Sequence, residues 1–119
     1  NKTNIAMKFT KITKKQFCDD LTSSSVIFVS GGFTRRSLEE LEEQILDICE
    51  EIDVDNSEQC TCTMQSNALV RHLPNGEKSY MYFDGKGETR EFYEYGNIRI
   101  KWTTYDNSER NNLVIYMCV

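Results

Sequence analysis

Alternating apolar and polar residues in the second half of the chain constrain its fold more than any other feature of the sequence. In the clearest stretch an apolar side chain stands at every second position, as Ile98, Ile100 and Trp102, with Arg99 and Lys101 between them. A period of two places the apolar set on one face of a β-strand and the charged set on the other. We therefore expect one face of this sheet to be buried and the other to be at least partly solvated, with Arg99 and Lys101 facing water.

Short turn sequences separate the predicted strands. Pro74-Asn75-Gly76 combines a residue that presets φ with one that accepts a positive φ, and Gly96-Asn97 fits either a tight turn or a bulge. Links of about two to six residues cannot make the crossover of a parallel pair, so the strands should pair antiparallel. The expected strands are 26–29, 60–64, 68–73, 80–83, 92–95, 98–102 and 113–119.

A first helix is predicted over residues 14–21. Thr13 can cap its start, and Gln16, three residues later, completes a capping box. Ile12 and Phe17 occupy the two positions of a hydrophobic staple, which fixes the angle at which the chain enters a helix.

A second helix is predicted over residues 37–53, where Ser37 and Glu40 form another capping box. A turn at residues 30–32 would separate it from the preceding strand. Apolar residues recur at helical spacing and would form one buried stripe along it: Leu38, Leu41, Ile45, Ile48 or Cys49, and Ile52.

Helix, strand, helix and then a series of short strands indicate an α+β fold. We expect a single domain over residues 1–119, with two helices packed on a mostly antiparallel sheet of about five to seven strands. Residues 1–8 are predicted to be a loose N-terminal extension. No apolar stretch approaches the roughly 18 residues needed to span a bilayer, so no membrane partner is expected.

Acidic residues are concentrated in one segment of the chain. Between Ser37 and Val70 the sequence contains no Lys or Arg, yet it holds ten of the nineteen carboxylates. The residues before this segment include seven basic and two acidic side chains, and those after it include seven of each, so the net charge of −5 hides a polarised molecule. Such asymmetry bears on partners and association more than on fold.

The acidic helix predicts a binding surface for a basic partner. Its carboxyl-terminal acids lie where the helix dipole disfavours negative charge, and no Lys at i+4 offsets any of its carboxylates. A basic partner would restore the stability lost in this way. Two other interpretations of the acidic helix stay open: a solvated face, and internal pairing of its carboxylates with Lys14, Lys15, Arg35 or Arg36. The candidate partner-binding residues are Glu39, Glu43, Asp47, Glu50, Glu51, Asp53 and Asp55.

A second candidate site lies just before the second helix. Glycines followed by hydroxyl and arginine side chains could hold a phosphate through backbone N–H groups, although the spacing and the lysine of a P-loop are absent. The candidate phosphate-binding residues are Gly31, Gly32, Thr34, Arg35, Arg36 and Ser37. Six tyrosines near Arg99 and Lys101 could stack nucleic-acid bases, but cross-strand aromatic pairs also hold an antiparallel sheet together, and we favour packing.

Neither a metal site nor a catalytic constellation is predicted. The five cysteines are an odd number without framework spacing, which favours free thiols and a cytoplasmic location. Cys60 and Cys62 are separated by one residue, whereas paired zinc ligands are usually separated by about two to four. Residues 53–64 begin like a calcium-binding loop but lack its essential glycine and glutamate. No spacing suggests a nucleophile and its base, so we expect no cofactor and no enzymatic activity.

The function we favour from the sequence is that of a small acidic cytoplasmic binding or inhibitor protein. It would be an immunity protein, or a phage or mobile-element inhibitor, whose carboxylates mimic nucleic acid and engage the basic surface of a nuclease or another nucleic-acid-binding protein. The alternative is a module that binds nucleic acid or a phosphate ligand through Arg35, Arg36 and a tyrosine-rich sheet face. Direct nucleic-acid binding ranks second, and the sequence leaves the oligomeric state open.

Overall fold

The computed structural model describes residues 8–19, 21, 24–34, 38–51, 58–83, 85–107 and 109–118, with 24–33 and 58–60 described by their backbone alone. Neither helix in these segments is long and apolar enough to span a membrane. In chain order the described elements are β1 (Thr10–Ile12), α1 (Lys14–Asp19), β2 (Ser24–Thr34), α2 (Leu38–Glu51), β3 (Glu58–Met64), β4 (Ala68–His72), β5 (Lys78–Tyr82), β6 (Glu88–Tyr95), β7 (Ile98–Tyr105) and β8 (Arg110–Cys118).

The described strands pair antiparallel in the order β1-β6-β7-β8-β2-β3-β4-β5. Residues 24–26 of β2 pair with 58–60 of β3, and the rest of β3 pairs with β4. As a result β3, β4 and β5 form a second layer over one face of β6, β7 and β8. Phe83 beside β5 contacts Phe92 of β6 with 6.0 Å between ring centroids. The predicted α+β fold, with two helices packed on antiparallel strands, is confirmed.

Seven strands correspond to those predicted, and the three-residue β1 is additional. The predicted turn at residues 30–32 is wrong, because β2 continues to Thr34. Between Ser30 and Phe33 its pairing with β8 shifts register, so Gly31 and Gly32 lie at an irregularity within the strand. The pairing with β8 on both sides of this irregularity keeps the strand continuous, and that contact is invisible in the local sequence.

The connection at Gly96-Asn97 is a tight turn and not a bulge. Tyr95 and Ile98 form a register pair on either side of it, and Gly96 has a φ of 57°. Glycine at the first central position of a two-residue hairpin permits a turn whose backbone twist matches that of the flanking strands.

Helix α2 packs on one face of the sheet. The predicted apolar stripe is confirmed for Leu38, Leu41 and Ile45, whereas Ser37 and Ile52 lie outside the described residues. The core on this face, with half-buried Leu46, Ile48 and Cys49 beside it, consists of Phe9, Leu38, Leu41, Ile45, Tyr93, Ile98, Ile100, Trp102, Leu113 and Ile115.

The opposite face of the sheet carries a second core. Helix α1 begins with the predicted capping box, in which Gln16 N donates to Thr13 Oγ1 at 3.1 Å and Thr13 N donates to Gln16 Oε1 at 2.8 Å. The helix ends at Asp19, and Leu21 after it is buried. This core consists of Ile12, Phe17, Leu21, Cys62, Leu69, Phe83, Phe92, Val114 and Tyr116.

The expectation that Arg99 and Lys101 face water is wrong, because both faces of β7 are covered. Arg99 is buried, and its Nη1 donates to Gly96 O at 2.7 Å. Lys101 is in register with Phe92 on one side and Val114 on the other, so it lies on the face of the second core and is partly buried there. The predicted alternation of side chains between the two faces of β7 is correct, but the second layer of strands covers the face that we expected to contact solvent.

Truncating the helix–sheet contact should destabilise the protein strongly. Leu41→Ala and Ile45→Ala each remove a buried side chain, so each should lower the free energy of unfolding by ~2–5 kcal/mol. Denaturant unfolding measures this, with Glu43→Ala on the exposed side of the same helix as the control. Losses below about 0.5 kcal/mol at both buried sites would contradict the packing described.

Candidate functional site

One side of helix α2 is acidic and exposed. Leu41 and Ile45 point into the core, so a period of 3.6 residues directs Glu43, Asp47 and Glu50 to the opposite side. We call the exposed carboxylates of this helix the acidic face: Glu39, Glu40, Glu43, Asp47, Glu50 and Glu51. Five predicted partner-binding residues are thus brought together on one helix, and the other two, Asp53 and Asp55, lie outside the described residues.

Glu42 is the acidic residue of α2 that does not belong to the acidic face. It is 4% exposed, and its Oε2 accepts hydrogen bonds from the backbone N–H of Lys8 at 2.6 Å and of Phe9 at 2.8 Å. Charge-assisted hydrogen bonds of this kind hold the carboxylate in one orientation. Glu42 therefore ties residues 8 and 9 to the helix, which corrects the expectation that the loose N-terminal extension includes residue 8; residues 1–7 lie outside the described residues.

Four carboxylates of the acidic face, Glu43, Asp47, Glu50 and Glu51, are poorly compensated within the part of the chain that the structure describes. Among the described residues, no ion pair joins Glu43, Asp47, Glu50 or Glu51 to a basic side chain. No basic residue lies in the last turn of α2, where negative charge is unfavourable by about 0.3–1 kcal/mol per group. The helix therefore carries repulsion that the described contacts do not relieve.

The described lysines proposed for internal pairing with α2 make other contacts. Lys15 Nζ lies 2.8 Å from Asp19 Oδ2, which raises the pKa of Lys15 chiefly through this hydrogen bond. Lys14 Nζ lies 4.8 Å from the centroid of the Phe83 ring, on the side of the sheet opposite α2. Pairing with Arg35 or Arg36 stays a prediction, because residues 35–37 lie outside the described residues.

The predicted phosphate site is only partly within the described residues. Gly31, Gly32 and Thr34 belong to β2, so they continue a strand and do not form a loop that precedes a helix. The Thr34 carbonyl oxygen accepts a hydrogen bond from Asn111 Nδ2 at 3.2 Å, which ties it to β8. Arg35, Arg36 and Ser37 are outside the description, so phosphate binding at this segment stays a prediction.

The tyrosines do not share one sheet face. Tyr93 is buried in the core under α2, whereas Tyr116 is buried in the opposite core. Tyr80 and Tyr82 are about half exposed and stack on each other with 6.1 Å between ring centroids. Tyr95 contacts Phe9 at the edge of the first core. The described tyrosines therefore offer one exposed aromatic pair and no continuous platform for stacking bases.

A groove that sequence reasoning missed lies between the two layers of strands. Its volume is about 370 Å³, and it receives side chains from β4 to β8. We call it the basic groove, because its described lining includes three cationic side chains and no carboxylate: Arg71, Ser79, Tyr80, Met81, Tyr82, Arg90, Lys101, Val114 and Tyr116. Arg90 and Lys101 lie on the paired strands β6 and β7, whereas Arg71 comes from β4 in the second layer, and only the packing of the two layers brings it to them.

Arg90 lies in the wall of the basic groove with incomplete hydrogen bonding. Its side chain is 12% exposed, and its Nη2 donates to Glu88 Oε2 at 2.6 Å. Its Nε and Nη1 are buried and have no hydrogen-bond partner among the described residues. A buried donor without an acceptor costs about 1–3 kcal/mol and is usually satisfied by ordered water or a ligand.

Lys101 lies in the same groove, where its surroundings disfavour the charged form of its side chain. Burial lowers its pKa to about 8, with a further lowering by the positive charge of Arg90 and an opposing effect of Glu88. An anion placed in the groove would favour the charged form of this lysine.

The cysteines and the histidine do not form a metal centre within the described residues. Cys62 is in register with Arg71 and faces the second core, whereas His72 Nε2 lies 2.8 Å from Thr63 Oγ1 on the other face of the layer. No group of three potential ligands is found in the part of the chain that is described. Absence of a structural metal and of a cofactor stays a prediction.

The thiols on the two helices have little nucleophilic character. Burial raises the pKa of Cys18 and of Cys49 to about 11, so both are protonated at neutral pH. They pack beside the two cores as small apolar groups.

No protein-family model, curated protein or solved structure matches the chain. The chemistry of the acidic face and of the basic groove therefore carries the functional argument.

Replacing Lys101 should stabilise the protein in a pH-dependent way. The folded state has the lower pKa, about 8 against 10.5, so below pH 8 it bears the full cost of a buried charge. Lys101→Met should therefore raise the free energy of unfolding by roughly 1–3 kcal/mol near pH 7. The gain should shrink as the pH rises through 8 toward 10.5. Denaturant unfolding of both proteins across this range measures the difference, and a gain independent of pH would contradict the assignment.

Proposed function

We propose that this protein is a non-enzymatic binding or inhibitor protein that acts in the cytoplasm. Its acidic face engages a basic surface on a partner protein, such as a nuclease or another nucleic-acid-binding protein. In that setting it serves as an immunity protein, or as a phage or mobile-element inhibitor, whose carboxylates stand in for phosphates and block a nucleic-acid cleft.

The observation that carries the proposal is the exposed, poorly compensated row of carboxylates on α2. Glu39, Glu43 and Asp47 follow one another at intervals of four residues, which brings like charges to neighbouring positions on the helix surface. A helix of 14 residues is about 21 Å long, so the row is extended and is not a point charge. A basic partner would relieve this repulsion and would be steered toward the face over a Debye length of ~8–10 Å.

The anchoring of α2 suits it to present these charges in a fixed arrangement. Leu38, Leu41 and Ile45 are each at most 5% exposed against the sheet, and Glu42 binds the backbone of residues 8 and 9. A rigid helix loses little conformational freedom on binding, so more of the electrostatic attraction appears as affinity. This rigidity supports mimicry of a nucleic-acid backbone over attraction by a flexible acidic tail.

Binding of nucleic acid by the chain itself is the second candidate. The exposed stack of Tyr80 on Tyr82 favours it, because bases stack on such rings at about 1–3 kcal/mol each. A gel-shift assay with short single strands separates the two candidates, since an acidic mimic should not retard nucleic acid. Loss of a shift on changing Tyr80→Ala and Tyr82→Ala would support the second.

Affinity capture from the native host tests the proposal. A basic nucleic-acid-binding protein should be retained by the wild-type chain and released by added salt. Retention of free RNA or DNA instead would favour the second candidate.

Removing the charge from the acidic face should affect folding and binding in opposite directions. Replacing Glu43, Asp47, Glu50 and Glu51 with Gln relieves like-charge repulsion, so thermal stability should hold or improve. Binding of the captured partner should weaken mainly through a slower association rate, and its salt dependence should flatten. Thermal unfolding and association kinetics at two salt concentrations measure the two effects.

A matched pair of double variants controls for net charge. Glu43→Gln with Glu50→Gln removes two charges from the acidic face, and Glu77→Gln with Glu109→Gln removes two exposed charges elsewhere. Only the first pair should slow association. Equal effects of both pairs would indicate attraction by net charge alone. Unchanged affinity in all variants would mean that the acidic face is only a solvated surface with no role in binding. Lower stability of the fourfold variant with full binding would indicate internal pairing instead.

A further inference from the structure

The basic groove lies on the opposite side of the sheet from the acidic face. Lys101 follows Ile100 on β7, and the two side chains point to opposite faces, Ile100 toward α2 and Lys101 into the groove. Arg90 also lines an adjoining cleft of about 390 Å³ that contains Lys11 and Lys14. Lys11 in that cleft is paired with Glu91 at 2.9 Å, so the cleft adds the charge of Lys14 to the three cations of the groove, in a chain whose net charge is −5.

We propose that the basic groove is a binding site for a small phosphate-bearing molecule. Lys101 and Arg71 hold the phosphate oxygens, and Arg90 adds positive charge from the groove wall. Ser79 and Tyr116 supply hydroxyl groups on the same lining. This site is separate from the acidic face and does not depend on the function proposed for it.

Lys101 is largely buried beside Arg90, and an anion bound in the groove would supply a counter-charge to Lys101. Arg90 has two buried nitrogen atoms without an acceptor, and it lies close enough to Lys101 to oppose its protonation. A cation buried next to another cation destabilises a fold unless a counter-charge is supplied. Glu88 pairs with Arg90 but does not line the groove, so the space between the cations is open to an external anion.

Charge and size favour a terminal phosphate over a carboxylate or a nucleic-acid strand. A phosphate monoester carries two negative charges and a carboxylate one, so a lining with three cations, of which Arg90 is already paired with Glu88, favours the phosphate. A volume of about 370 Å³ is near the lower end of small-molecule pockets, which run from about 300 to 1,000 Å³. Strand-binding proteins instead use an open track with several phosphate contacts.

Isothermal titration calorimetry with four probes tests the proposal. The probes are inorganic phosphate, ribose 5-phosphate, acetate and a short single-stranded oligonucleotide. Phosphate and ribose 5-phosphate should bind, the monoester more tightly, and acetate should not. Absence of binding for both phosphates, or equal binding of acetate, would overturn the proposal. Tighter binding of the oligonucleotide than of the monoester would overturn the assignment to a small molecule.

Two matched variants locate the site. Lys101→Met removes a groove cation without endangering the fold, because it also removes the cost of burying that charge. Lys78→Gln removes an exposed cation that does not line the groove, although it lies next to Ser79. The first should weaken ribose 5-phosphate binding by about tenfold or more, and the second should leave it within about twofold. Equal effects of the two variants would overturn the location.

The pH dependence of anion binding gives an independent readout. Sulfate keeps its charge between about pH 7 and about pH 9.5, whereas Lys101 loses its proton around pH 8 in the free protein. Sulfate affinity should fall across this range in the wild type and change much less in Lys101→Met; parallel profiles would overturn the role of Lys101. Among the described residues, the charged and titratable groups near Lys101 are Arg71, Arg90, Glu88, Tyr80, Tyr82 and Tyr116.

Discussion

Burial of both faces of the central strands is the constraint on which the rest of this structure depends. Leu113 and Ile115 of β8 face helix α2, whereas Val114 and Tyr116 between them face the second layer of strands. Each such side chain contributes about 1.5–3 kcal/mol when it leaves water, so both coverings are strongly favoured. The same geometry forces every second residue of β7 into the second layer, which is why Lys101 lies in a groove and not in solvent.

The fold separates opposite charges by placing them on different sides of the sheet. The carboxylates of the acidic face project outward and are exposed to salt, whereas the cations of the basic groove are partly buried between the layers. Exposed charges are screened over a Debye length, and buried ones are screened much less. Binding at the acidic face should therefore be more sensitive to salt than binding in the groove. The net charge of −5 describes neither surface.

The elements that could be predicted from the sequence are those specified by local chemistry. Three examples are the capping box of Thr13 and Gln16, the apolar stripe of α2 and the turn at Gly96. Each depends on residues that are close together in the chain. Strand β1 and the continuation of β2 through Gly31 could not be predicted, because each depends on pairing with a strand distant in the chain.

The acidic face and the basic groove also differ in whether the local sequence could reveal them. The acidic face was visible because its residues lie on one helix, although only the structure separates Glu42 from the exposed carboxylates. The basic groove was missed because Arg71, Arg90 and Lys101 come from three different strands, and the alternation in β7 indicated a solvated face. A second layer of strands over that face leaves no signal within β7 itself.

The arrangement of two surfaces of opposite charge on opposite sides of one sheet can be tested directly. Amide chemical-shift mapping by NMR tests it directly, with a short oligolysine peptide and inorganic phosphate as the two probes. This arrangement predicts that the peptide perturbs the amides of α2 and that phosphate perturbs those of β4 to β7 around Arg71, Arg90 and Lys101. Perturbation of the same residues by both probes, or of neither surface by its own probe, would contradict it.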